Sequence, residues 1–157
     1  MPRARTFSLL AATAALAVGC SPAERNDEGE IAVAGALDAF SMHVGDCYDD
    51  QMFFSDEVSD VPGIPCDQPH DNEVFALFDL QESEYPGEER TLELADDGCL
   101  ERFEAYVGTT YEESVLMITN LVPSKGSWSQ VDDREVICVA YHMELEKLTG
   151  SVRHSGL

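Results

Sequence analysis

Residues 72 to 80 read N72-E-V-F-A-L-F-D-L80, and a second run reads E135-V-I-C-V-A-Y141. Both are short, rich in aromatic and β-branched residues, and apolar on both alternating faces. That is the pattern of a central strand covered on each side, not of a half-solvated one. A third run, Ser114 to Val122, has the same character. Between the first and third lies T-L-E-L-A-D-D-G-C-L-E-R-F-E-A-Y-V-G, in which Leu92, Ala95, Cys99, Phe103 and Tyr106 recur at steps of three and four and so share one helical face. Gly108 stops the helix. Pro86 suits its first position, and Glu88 and Glu89 suit the positive end of its dipole. Gly98 inside it marks either a close contact with a neighbouring strand or sequence drift. These elements predict an α+β fold: a small, mostly antiparallel sheet with one main amphipathic helix packed on it, carrying two disulfides.

Upstream of this domain the chain changes character. Arg3 and Arg5 open it, an apolar stretch runs from Phe7 to Val18, and small residues precede Cys20. This is the order of an export signal. The stretch is too short to span a hydrocarbon core, which needs roughly 20 apolar residues. Residues 1–19 therefore read as a lipoprotein signal peptide. Ala17, Val18, Gly19, Cys20 and Ser21 resemble a bacterial lipobox, with one departure: the usual Leu three residues before the cysteine is Ala17, and Leu16 lies one step earlier. Cys20 is the expected lipidation residue. Two or more acyl chains, at about 0.8 kcal/mol per buried methylene, anchor a protein stably. The expected location is the extracytoplasmic face of the cell membrane, with the N-terminal lipid as the contact to the bilayer. Residues 20–36 mix small, charged and breaker residues without a period and predict a flexible tether. Ordered sequence is expected over 37–157.

Charge narrows the function. The 157 residues carry a net charge of −22, and loss of the leader with its two arginines leaves 7 basic residues against 31 acidic ones, a net −24. Nucleic acid is excluded as a partner, because phosphate binding needs clustered Lys and Arg. The acidity reads as a solvated surface or as sites for hard cations. The short clusters Asp46 with Asp49 and Asp50, Asp96 with Asp97, and Asp132 with Asp133 lack the spacing of a calcium hand.

Cys47, Cys66, Cys99 and Cys138 are an even set in an exported chain, which predicts two disulfides. Three connectivities exist. Cys47 with Cys66 would close an irregular loop, and Cys99 with Cys138 would pin the helix to the last strand. The wide, unequal spacings argue against a zinc site with His70 or His142, and no metal or cofactor is expected.

The runs V-G-D-C at 44–47, P-C-D-Q-P-H-D-N-E-V at 65–74, Y-P-G at 85–87, C-L-E-R-F-E-A-Y-V-G at 99–108, P-S-K-G-S-W at 123–128, D-R-E-V-I-C at 133–138 and L-T-G-S-V-R at 148–153 together resemble the septum formation domain of actinobacterial membrane and lipid-anchored proteins. The resemblance covers 37–157. It departs at V-D-D-R, 131–134, where the family more often has Gly before the Asp-Arg pair, and this leaves the turn geometry there open. What it implies is an envelope location and a link to division, with envelope or division proteins as partners. It carries over no catalytic residues.

Four residues stand out as candidate binding groups. His70 sits on a corner entering the 72–80 strand with Glu73 close by, a pairing suited to ligand binding or proton transfer, or to holding the corner beside Cys66. Trp128 can stack on a glycan or peptide or join the core. Arg134 is a rare basic group in an acidic field. No G-x-S-x-G, H-E-x-x-H or S-x-x-K signature is present, and Ser151 and His154 share no recognisable pattern. The expectation is a non-catalytic accessory or interaction module, not an enzyme. A ligand- or cation-binding sensor and a cryptic cell-wall hydrolase are the alternatives.

Overall fold

A computed structural model describes residues 21–50 and 59–157. Six strands form one antiparallel sheet: β3 (Gly35–Asp38), β4 (Cys47–Tyr48), β5 (Asp60–Ile64), β6 (Asn72–Asp79), β7 (Leu116–Leu121) and β8 (Glu135–His142), in spatial order β3-β5-β4-β6-β8-β7. The helix α1 (Glu88–Val107) crosses one face, and a short helix α2 (Lys125–Gln130) links β7 to β8. The α+β class, the main helix and both disulfides agree with the sequence reading.

The two long central strands alternate between two cores. Val136, Cys138 and Ala140 of β8 join Phe75, Ala95, Phe103 and Val107 beneath α1. Ile137 and Val139 point the other way, to Leu37, Met42, Tyr48, Val61 and Val74. This double burial is why both strands read as unbroken apolar runs. The bridge Cys99–Cys138 ties α1 to β8, and Cys47–Cys66 ties β4 to the loop before β6, the pairing expected.

Three expectations are corrected. First, the stretch 20–36 is not a tether from Ser21 onward. Glu24–Arg25 (β1) and Ile31–Val33 (β2) form a two-stranded antiparallel ribbon, and Gly35–Asp38 is β3 of the main sheet. Its cause is tertiary: Ile31 is buried in the second core, and Arg25 grips the buried Asp46 with both guanidinium nitrogens, one at 2.7 Å. Second, Leu92 is 41% exposed; Thr91, Ala95 and Gly98 carry the buried stripe in that part of α1 instead. Third, Pro86 lies outside α1, which starts after Gly87, a residue at φ +95° that only glycine adopts readily.

Gly98 resolves to a close contact. A β-carbon there would overlap the ring of Phe78, over which the Arg102 guanidinium also lies, 4.2 Å from the ring centroid. In the V-D-D-R turn, Asp132 takes the left-handed conformation at φ +58°. Asp is among the few non-glycine residues that tolerate it, so the turn survives the departure from the family pattern.

Candidate functional site

His70 bridges to Leu148 of the C-terminal segment through paired backbone hydrogen bonds at 3.0 and 2.8 Å, directly before β6. Its ring is fully buried. Nδ1 lies 2.8 Å from the carbonyl oxygen of Gln68; a carbonyl only accepts, so Nδ1 carries the proton and donates. Nε2 has no hydrogen-bond partner among the described residues.

Glu73 lies three residues on and is also 0% exposed. Its carboxylate accepts three hydrogen bonds: from Tyr106 Oη of α1 at 2.7 Å, from Ser151 Oγ at 2.6 Å, and from the Val152 backbone N–H at 2.7 Å. Burying a carboxylate is costly unless donors replace its water, and here three do. The group ties β6, α1 and the C-terminal segment at one point. Burial, then the hydrogen bond to Glu73 and its charge, push the Tyr106 phenol up to about 12, partly opposed by Arg153, whose guanidinium lies 4.9 Å from the Tyr106 ring centroid. The Cys47 and Cys66 sulfurs and a Glu73 oxygen lie within 4.8 Å of one another. Because the sulfurs are bonded to each other, they offer no thiolate to a metal.

The other two candidates meet elsewhere. Trp128, in α2, is 5% exposed. One face of its indole is capped by the Arg134 guanidinium 3.7 Å from the ring centroid, and Tyr85 packs edge-on at 5.6 Å. Arg134 also pairs with Asp132 at 2.8 Å. The indole therefore presents no open face for a glycan, and the pair forms a cation–π clasp on the turn between α2 and β8. The structure brings Trp128 and Arg134 together; His70 and Glu73 are both buried near the start of β6, but among the described residues they share no hydrogen bond, His70 holding Gln68 and Glu73 holding Tyr106, Ser151 and Val152. Ser151 touches Glu73 directly instead of through an imidazole. Cys20 lies outside the described residues. Among the described residues no helix is long and apolar enough to cross a membrane.

Sequence reasoning missed the partners of Glu73, because Tyr106 and Ser151 stand 33 and 78 positions away. The family model for septum formation matches residues 19–143. The chain belongs to the septum formation family. Membership links it to septum formation, and the match reaches from the ribbon that precedes β3 through the whole of β8. No curated protein and no solved structure matches the chain.

Proposed function

We propose that this septum formation family member is a non-catalytic interaction module, held by lipid on Cys20 at the outer face of the cell membrane, that serves as an accessory to septum formation. The observation that carries the non-catalytic reading is the complete burial of Glu73 among three donors. A proton-transfer group needs a free position toward substrate. This carboxylate is fully buried and held by Tyr106, Ser151 and Val152, and the His70 imidazole is buried as well. The lipid reading rests on the leader and the lipobox-like residues before Cys20. The partners expected are envelope or division proteins. The test is to locate a tagged full-length form during growth, to crosslink it in place, and to incubate the purified protein with cell-wall material. Enrichment at the septum with defined crosslinks and no wall digestion is the expected result. Release of soluble wall fragments, or an even cytoplasmic distribution, would contradict the reading.

A further inference from the structure

On the face of the sheet opposite α1, the second core does not extend as far as α2. A groove of about 740 Å3 lies there, floored by Leu121 and Ile137 and flanked by Phe40 and Val131, which are 64% and 66% exposed. Ligand-binding clefts run from about 300 to 1,000 Å3, so it can accept a short peptide segment.

One wall is acidic. Asp133 and Glu135 line the groove, and Glu135 stands directly opposite Asp79 in the β6–β8 register. Like charges facing each other across strands are destabilising. Burial, and then the charges of Asp79 and Asp133, raise the Glu135 carboxyl above its usual range. Among the described residues none of the three carboxylates forms an ion pair, and neither Lys125 nor Arg134 lines the groove. An apolar floor beside an uncompensated acidic wall suits a ligand that is both aliphatic and cationic.

The geometry points to this groove as the docking site for an extended segment of a partner protein in which lysine or arginine alternates with aliphatic residues. The inference deepens the interaction-module reading and rests on it. The chain's own residues 51–58, which precede Ser59 in the sequence, carry Asp56 and Glu57 and no basic residue, so their charge does not complement the wall.

Two fluorescein-labelled probes, Leu-Lys-Val-Lys-Leu and Leu-Glu-Val-Glu-Leu, are titrated into the full-length chain by anisotropy, with methyl NMR of Leu121 and Ile137 as the local readout. The lysine peptide is expected to bind and shift both methyl groups, and the glutamate peptide to do neither. The double variant Asp79→Asn, Glu135→Gln should bind about fivefold more weakly, chiefly through Glu135, which lines the groove, while melting no lower than the parent, because the removed charges repel each other. Equal binding of both peptides, no binding, or an unaffected double variant would overturn the proposal. So would methyl contacts from Phe53 or Phe54 to Ile137 in the free protein, or self-association through the groove. Wall digestion would remove the wider reading while leaving a positive titration intact, and a failed titration leaves septal location standing.

Discussion

The phenol of Tyr106 donates to the fully buried carboxylate of Glu73 at 2.7 Å, joining the last turns of α1 to the start of β6. Tyr106→Phe removes one donor of three and should cost about 1–3 kcal/mol, the range for a hydrogen bond to a charged buried group. Glu73→Gln should cost at least as much, because its amide places N–H groups against donors. Urea unfolding of both variants checks this. A shift below about 0.5 kcal/mol for either would mean that the tie contributes little.

The ion pair between Arg25 and Asp46 holds β1 to the sheet. Asp46 is 2% exposed and also accepts from the His43 N–H at 2.7 Å. Removing Arg25 strands a buried carboxylate, which costs about 3–5 kcal/mol where the partner is fully lost. Arg25→Ala should lower the melting temperature and speed amide exchange at Ala23 and Ala36, whose N–H groups donate to the carbonyl oxygens of Ala36 at 2.8 Å and Ser21 at 2.9 Å. Unchanged exchange would mean that the ribbon holds without the pair.

Gly98→Ala separates helix propensity from packing. Alanine favours a helix over glycine by about 1 kcal/mol, yet a β-carbon at 98 would overlap the Phe78 ring, and overpacking costs about 1–3 kcal/mol. The expected net is destabilisation in calorimetry. The double variant Gly98→Ala, Phe78→Leu should recover part of it.

These positions also show where sequence sufficed. The runs at 72–80 and 135–141 were legible because both faces are buried, so their apolar pattern is unbroken and local. Gly108 was legible as the end of α1 because it takes the left-handed conformation at φ +92°. The ribbon of β1 and β2 was not, since its order comes from Ile31 entering a distant core and Arg25 reaching Asp46, 21 residues away. Leu92 misled because three- and four-residue spacing admits more than one face, and Thr91 took the buried place through a side-chain hydrogen bond to the Gly87 carbonyl oxygen. At the candidate site, His70 and Glu73 were visible as a neighbouring pair. The three donors that fix Glu73 were not, because only the folded chain brings α1 and the C-terminal segment to it.

Lys147 bridges Asp49 at 2.6 Å and Asp71 at 2.9 Å. Burial alone would lower the lysine and raise Asp71, but the hydrogen bonds and charges between them outweigh it. Lys147 is thus raised above its ordinary 10.5, and Asp71 is held below its ordinary 3.8. A raised lysine contributes stability that is complete below 10.5 and lost as pH climbs through its folded value. A depressed carboxylate contributes stability present above 3.8 and lost as pH falls through its folded value. Lys147→Ala should therefore cost up to about 1 kcal/mol near neutrality, because the pair is half exposed and screened. The difference from the parent should vanish in strong base and in strong acid. A constant difference across pH would mean that packing, not charge, is what the substitution removes.

Export and lipid attachment at Cys20 carry the largest share of the account, and mass spectrometry of protein purified from its native membrane tests them most directly. The predicted spectrum begins at Cys20 with added acyl mass and shows Cys47, Cys66, Cys99 and Cys138 resisting alkylation until they are reduced. An intact leader beginning at Met1, or an unacylated Cys20, would contradict it.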